Sequence, residues 1–274
     1  MSRISAIAAA ILLFSGQASA APPSPAYDAL NAQADADLVA GRWAEALAKS
    51  DKAIPLEGNY AQAYLNRGKA LLGLSRFKEA EAALQDALSR DADLHLAWYL
   101  LGDARLADGR PAEAIEPLLR GARLHPNDGY ILATLAEAYL KSGKYAEAQD
   151  SFEQALKIRP NDRMLASGLG RTFLAQKKFK EAAQQLDAAI AAGADFAVTW
   201  FDAAIAHHNL GEYPKAIAGY RRVIALEPRL VQAHVALVLV LAQSGDKPAA
   251  REAQAALARL DPAGATAAGA AVGL

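Results

Sequence analysis

Apolar and polar residues follow a repeating pattern with a period of 34 residues along most of this chain. Counted from Tyr27, seven blocks keep register without insertion or deletion: 27–60, 61–94, 95–128, 129–162, 163–196, 197–230 and 231–264. Repeat positions 4, 7, 8 and 11 lie on one stripe of a helix with 3.6 residues per turn, and a second apolar stripe includes position 20. The pattern therefore predicts an all-α chain with two helices in each block.

Turn and packing residues return at fixed repeat positions. Position 15 holds glycine, which ends a helix in the left-handed conformation, in five blocks: Gly41, Gly109, Gly143, Gly211 and Gly245. Proline at position 32 ends the second helix in four blocks. Position 20 is alanine in all seven blocks, and position 8 is small in most of them, which lets helices approach closely. Each block is predicted to be an antiparallel helix pair that stacks on the next.

Two phrases of the sequence resemble the tetratricopeptide repeat family. They are "WYLLGDAR" at 98–105 and "GKYAEAQDSFEQA" at 143–155, and the resemblance extends from Tyr27 to about Gly264. It implies a right-handed superhelical α-solenoid whose first helices line a concave groove that holds other polypeptides. The first and last blocks depart most from the pattern, and Pro117 lies inside the second helix of block three, where it should remove a hydrogen bond and bend that helix.

The first 20 residues have the layout of a secretory signal peptide. Arg3 precedes an apolar run over residues 4–14, and a small-residue triplet ends at Ala20, where cleavage is expected. An uncleaved anchor is the alternative, but eleven apolar residues are short of the roughly 20 needed to span a bilayer. Residues 21–26 are predicted to be an extended leader. The mature chain is expected in a bacterial periplasm, without a membrane span and, lacking cysteine, without disulfides.

The charge balance narrows the class of partner. The formal net charge is −1, with 53% hydrophobic and 22% charged residues. Nucleic acid and anionic membranes both require a basic surface, so neither is expected as the main partner. Alanine, at 68 residues, favours closely packed helices.

The predicted groove face comprises repeat positions 2, 5, 9 and 12 of the first helices, opposite the packed stripe. Position 9 reads Asp, Lys, Asp, Glu, Arg, Ile, Leu from block one to block seven, so the face is mixed in charge for five blocks and apolar for two. The candidate partner-binding residues are Tyr99, Asp103, Tyr130, Glu137, Arg171, Phe201, Ile205, His208, Val235 and Leu239. No block pairs Lys at position 5 with Asn at position 9, which excludes the carboxylate-clamp specialisation of the family.

The helix of the last block, "VQAHVALVLVLA" at 231–242, is apolar on nearly every side. Two interpretations stay open. Either the C-terminal segment 263–274 or block six covers this helix, or its apolar surface binds a partner or a second copy of the chain. The last ten residues, 265–274, are assigned as a flexible tail.

Nothing in the sequence favours an enzyme. His207 and His234 occupy core-facing positions, and no further ligands stand at metal-binding spacing. The recurring glutamate at position 19 is explained by the dipole of the second helix. Without a phosphate loop or nucleophile motif, we expect no cofactor, no metal and no catalysis. The sequence predicts an exported scaffold for a protein or peptide partner, in envelope assembly or secretion; the alternative is a self-associating array formed through the last repeat.

Overall fold

The structure is a computed structural model that describes residues 23–274. The predicted signal peptide and the first two residues of the predicted leader lie outside this range. Within it there are fifteen helices and no strands, and none of these helices is long and apolar enough to cross a membrane. The helices, α1 to α15 in chain order, are Pro25–Val39, Trp43–Ala53, Ala61–Gly73, Phe77–Arg90, His95–Ala107, Pro111–Leu124, Gly129–Lys141, Tyr145–Ile158, Arg163–Ala175, Phe179–Ala191, Ala197–Asn209, Tyr213–Leu226, Val231–Gln243, Lys247–Ala258 and Pro262–Val272.

The chain divides into two compact units at Gly143 and Lys144, in the turn of repeat four. Unit 1 contains α1 to α7, and unit 2 contains α8 to α15. Inside each unit every helix packs against the next one in the chain, and the first helices of successive repeats also touch. This all-α stacking of helix pairs confirms the predicted solenoid class.

Helix boundaries follow the repeat register closely. In repeats two to seven the first helix begins at repeat position 1, and in all seven the second helix begins at position 17. The first repeat differs, because α1 begins at Pro25 instead of at Tyr27. The predicted extended leader is therefore too long: Pro25 and Ala26 are helical, since proline is well tolerated in the first turn, and the Ser24 hydroxyl accepts a hydrogen bond from the Tyr27 N–H at 3.4 Å.

Close packing inside a helix pair depends on the small residues that the sequence singles out. All seven position-20 alanines are fully buried. At position 8, a Cβ added to Gly102 would stand 2.4 Å from Leu118 Cγ, and one added to Gly170 would stand 2.5 Å from Leu186 Cγ. No side chain fits there without a shift, so the leucine at position 24 seats directly on the backbone of the first helix.

The first helices also bury a second stripe that the sequence analysis did not predict. Positions 3 and 10 are buried in repeats two to seven, as Ala63 and Ala70 illustrate. Ile131, at position 3 of repeat four, lies against Gly121 in the second helix of repeat three. A first helix therefore packs on two neighbours, its own second helix and the second helix of the preceding repeat.

Helix α6 continues through Pro117. Because proline has no N–H, the carbonyl of Glu113, four residues earlier, loses its helical donor. Arg105 Nη1 donates to this carbonyl at 3.0 Å. The same guanidinium binds Glu81, with Nε 2.8 Å from Oε1. An arginine of the first helix thus supplies the hydrogen bond that the proline removes from the second.

The C-terminal segment is helical, which corrects the assignment of 265–274 as a flexible tail. Helix α15 packs on both α13 and α14. Ala265 and Ala268 form a cluster with Val238 and Leu257 of the last repeat, and Gln254 Nε2 donates to Ala265 O at 2.9 Å. Helix α15 thus covers the apolar surface of the last repeat, and the burial of this surface favours the packing.

Candidate functional site

The first-helix face, defined as repeat positions 2, 5, 9 and 12 and their immediate neighbours, is polar in the first half of unit 1. Gln62 Nε2 donates to Asn66 Oδ1 at 3.1 Å, and Lys69 Nζ lies 3.5 Å from the same oxygen. Burial lowers the pKa of Lys69, against the attraction of Asp35. Burial likewise raises the pKa of Asp35, against the Lys69 charge and the Asn66 hydrogen bond. Burying the charges of Lys69 and Asp35 therefore costs desolvation free energy.

The four predicted binding residues of unit 1 differ widely in exposure. Tyr99 is only 8% exposed and belongs to the core cluster of the unit, so little of its ring is left to meet a ligand. Asp103 and Glu137 are half-buried, and Glu137 Oε1 forms an ion pair with Lys141 Nζ at 3.2 Å. Tyr130 is 42% exposed. The structure therefore presents one accessible aromatic ring and two carboxylates among these four residues.

In unit 2, polar contacts join the first helices of repeats five and six. Arg171 Nε donates to Asp202 Oδ2 at 2.8 Å, and the hydroxyls of Ser167 and Thr199 are 2.8 Å apart in a buried hydrogen bond. Asp202 is 8% exposed, and this burial raises the pKa of Asp202 against the opposing effect of Arg171. These two contacts fix α9 against α11 and hold the surrounding side chains in place.

An apolar patch lies on the same face of α9 and α11. It consists of Met164, Val198, Phe201 and Ile205, and we call it the α9–α11 patch. Met164 is 56% exposed and Val198 is 41% exposed, whereas Phe201 and Ile205 are half-buried against the core. The Phe201 ring meets Tyr220 edge-on, with centroids 5.7 Å apart. Phe201 and Ile205 are thus held by the core, whereas Met164 and Val198 leave more of their side chains exposed.

Met164 and Val198 are absent from the candidate residues of the sequence analysis. Both stand at repeat position 2, near the middle of the open side of the first helix, and Tyr130 occupies the same position in repeat four. An apolar residue at position 2 in four consecutive repeats, three to six, was the signal that could have identified them.

The remaining three predicted residues lie in repeats six and seven. His208 Nε2 is 2.6 Å from Gln243 Oε1, so this ring joins α11 to the end of α13. Val235 packs in the cluster that includes Val272 and Leu274, so the C-terminal segment takes up part of its surface. Leu239 is half-buried. Of the predicted residues, Phe201 and Ile205 belong to the α9–α11 patch, Arg171 is paired with Asp202 next to Phe201, and Val235 has a role in packing.

The other histidines of unit 2 have structural contacts. His207 is 3% exposed, with Nε2 3.0 Å from Asp187 Oδ1 and Nδ1 2.9 Å from Glu212 Oε2. His234 Nε2 donates to Pro228 O at 2.9 Å. Over residues 23–274, no group of three or more His, Cys, Asp or Glu side chains is arranged to hold a metal ion. His207 thus links α10 and α11 to the start of α12.

Comparison with known proteins agrees with this architecture. A family model described as tetratricopeptide repeat matches residues 65–129, 134–195 and 201–265, together more than half of the chain. No curated protein matches the sequence.

Among solved structures, the chain is similar to PilF of Pseudomonas aeruginosa, with 20% identity, a TM-score of 0.64, and coverage of 74% of this chain and 92% of that one. MamA of Desulfovibrio magneticus RS-1 is 26% identical, with a TM-score of 0.57 and coverage of 61% and 95%. YrrB, described as having an unusual peptide-binding site, is 20% identical, with a TM-score of 0.57 and coverage of 67% and 95%.

Proposed function

Because this chain belongs to the tetratricopeptide repeat family, we propose that it is a scaffold that binds a segment of a partner protein on the first-helix face of unit 2. The observation that carries the proposal is the α9–α11 patch. Met164 and Val198 are 56% and 41% exposed on adjacent helices, beside the half-buried Phe201 and Ile205. Large apolar side chains grouped on an otherwise polar surface mark a binding site more often than single exposed ones do.

The geometry favours an unfolded or extended segment that inserts one or two apolar side chains. Phe201 and Ile205 are fixed from below by the core, so their ordering costs little on binding. Arg171 is partly exposed at the edge of the patch, although it is paired with Asp202. Its remaining N–H groups can donate to backbone carbonyls of the segment. The apolar side chains of the segment, packed on Phe201 and Ile205, then supply the affinity, and Arg171 contributes to the orientation of the segment. YrrB, which is similar in fold and is described as having an unusual peptide-binding site, supports this by analogy.

We further propose that the protein acts after export, in a bacterial periplasm, where assembly or secretion of envelope components would supply partner segments. The support is the sequence of residues 1–20 alone, with its charged start, apolar run and small-residue end. The proposal assigns no catalytic role to the chain.

Self-association through the last repeat is the alternative function, and the packing of α15 weighs against it. The apolar side chains that would pair with a second copy include Val235 and Val238. Val238 is fully buried and Val235 is packed in the same cluster as α15. Light scattering separates the two: a monomer supports the scaffold, and a dimer that dissociates on Leu239→Asp supports the array.

The binding proposal is tested with a photo-cross-linking amino acid placed at Val198 in native cells. We expect a discrete adduct, identified by mass spectrometry, and a synthetic peptide of the cross-linked partner segment that binds the purified protein. Ile205→Asp should weaken the binding of this peptide at least tenfold, which is the effect expected from the loss of one apolar anchor.

The matched control places the same cross-linker at Val39, which is 58% exposed in α1. Circular dichroism checks that the Ile205→Asp variant is folded. If it is not, Met164→Asp replaces it, because Met164 is exposed, and this variant should also bind the peptide more weakly. Equal adducts at positions 39 and 198, or unchanged peptide affinity in both variants, would reject the proposal.

A further inference from the structure

Repeat position 4 carries a large side chain in every repeat except the fifth, and in repeats three, six and seven its polar tip is bonded to the connection from the preceding repeat. Trp98 Nε1 donates to Ala92 O at 2.8 Å, and Trp200 Nε1 donates to Asp195 Oδ1 at 2.8 Å. His234 makes the equivalent contact to Pro228 O. The ring at position 4 thus fills the space between two successive second helices, and we call this residue the plug.

Second-helix side chains cover the plug in repeats two and three. The guanidinium of Arg90, at position 30, lies 3.7 Å from the ring centroid of Tyr64, and Arg90 Nη2 donates to the Tyr64 hydroxyl at 2.8 Å. The guanidinium of Arg120, at position 26, lies 4.9 Å from the ring of Trp98. Both contacts are cation–π pairs that close the outer side of the ring.

Repeat five has neither the plug nor its cover. Position 4 is Ala166, and positions 26 and 30 are Ala188 and Ala192. Three large side chains are therefore replaced by methyl groups in one place, while the helices that surround them keep the same register.

The result is a cleft of about 730 Å³ in unit 2, lined by α8, the connection at Pro160, the start of α9, and α10. The residues that correspond to the contacts of Trp98 all line it: Pro160 corresponds to Ala92, Ala188 to Arg120, and Ala189 to Gly121. Leu156 adds an apolar wall, and Glu153 and Lys157 stand at the rim. A smaller cleft of about 470 Å³ lies beside Trp98 itself.

We propose that this Ala166 cleft binds a tryptophan side chain presented by another polypeptide. Repeats three and six show that the space fits an indole, because the rings of Trp98 and Trp200 occupy it and donate to the connection. A guest indole can stack on Leu156, Ala188 and Ala189 and donate its N–H to the Pro160 carbonyl, as Trp98 does to Ala92. Residues 1–22 contain no tryptophan or tyrosine, so this part of the chain cannot supply such a donor.

The Ala166 cleft is separate from the site of the proposed function. The side chain at position 4 points in a different direction around the first helix from those at positions 2, 5 and 9, since 3.6 residues make one turn. A partner bound on the α9–α11 patch therefore leaves the cleft open, and the two proposals can fail independently.

The test is titration of the purified chain with N-acetyl-tryptophanamide, followed by amide NMR shifts. We expect saturable shifts of Leu156, Ala166 and Ala188 in the millimolar range, with N-acetyl-leucinamide binding at least fivefold more weakly. Ala166→Trp supplies the missing plug and should weaken the binding of N-acetyl-tryptophanamide at least tenfold. Val198→Asp should leave it unchanged, because Val198 belongs to the α9–α11 patch.

If Ala166→Trp does not fold, Ala192→Arg is the second variant, because it introduces at the surface the cover that Arg90 gives Tyr64. The added guanidinium can stack on the guest indole, so the binding of N-acetyl-tryptophanamide should become at least about twofold stronger. Three outcomes would overturn the proposal. The first is that the unsubstituted chain shows no saturable shifts, and the second is that it binds the leucine and tryptophan amides equally. The third outcome is that the folded variant, Ala166→Trp or Ala192→Arg, binds N-acetyl-tryptophanamide as the unsubstituted chain does.

Discussion

The turn between the two helices of a repeat depends on a single residue in the left-handed conformation. Five repeats place glycine there, with φ of +70° to +90°, as the sequence predicts. Repeats two and five place Ser75 and Lys177 at the same position, and both adopt φ of +58°. A side chain in this conformation costs about 1 kcal/mol, so the packing of the repeat overrides the preference of these two residues.

Ser75→Gly and Lys177→Gly should each raise the free energy of unfolding, by about 0.5–1 kcal/mol, because they remove this strain and glycine loses part of the gain to unfolded-state entropy. Urea denaturation measures the change. Gly109→Ser is the matched control and should lower the free energy of unfolding by a similar amount. A loss of stability in both glycine variants would show that Ser75 and Lys177 make contacts worth more than the strain.

At the scale of one helix, α6 shows how the array tolerates a proline. The Glu113 carbonyl, which Pro117 deprives of a donor, is bound by Arg105 of the paired helix α5. The arginine occupies position 11, and the proline occupies position 23 of the same repeat. One departure from the repeat pattern thus compensates for another.

A double-mutant cycle tests this compensation. Arg105→Met should destabilise the protein more when residue 117 is proline than in a Pro117→Ala background, where the restored N–H binds Glu113 O. The coupling should be about 0.5–1 kcal/mol in the free energy of unfolding. Arg76→Met is the control, because Arg76 pairs with Glu79 instead of binding the Glu113 carbonyl, and its cost should be the same in both backgrounds. A coupling near zero would contradict the assignment.

The sequence predicted helices well and predicted surfaces less well. Repeat positions 15 and 20 indicated turns and close packing, since one residue type meets one steric demand there. The burial of Tyr99 and of positions 3 and 10 was missed because a single apolar stripe describes a helix with one neighbour, whereas a first helix here has two. Helix α15 was missed because its alanine and glycine residues form no amphipathic stripe, and only the uncovered last repeat gives them a surface to pack on.

For the whole molecule, ionised side chains with opposite pKa shifts determine how stability depends on pH. Hydrogen bonds from Lys49 and Arg42 lower the pKa of Asp37. Hydrogen bonds from Arg222 and Trp200 lower the pKa of Asp195. Such carboxylates stabilise the fold above their unfolded pKa of about 4, and this contribution is lost as the pH falls through the lower folded pKa.

Asp202 has the opposite sign, because burial raises the pKa of its carboxyl group. Its ionisation is unfavourable in the fold, and this penalty disappears as the pH falls through the raised pKa. Asp37→Asn should therefore destabilise the protein more at pH 7 than at pH 3, whereas Asp202→Asn should be better tolerated at pH 7 than at pH 3, relative to the parent chain. Urea midpoints at the two pH values measure both effects. The same pH trend in both variants would show that the two carboxyl groups are not shifted in opposite directions.

The unbroken 34-residue spacing also affects how the length of the chain can change. From repeat two onward each first helix starts at repeat position 1, and the plugs of repeats three, six and seven reach back to the connection just before them. Recombination between equivalent points of two repeats therefore adds or removes an entire hairpin, and the helix pairs on both sides of it keep their register. Within residues 23–274, helix α15 packs on the two helices of the last repeat, so a hairpin gained or lost earlier in the array leaves this C-terminal cover in place.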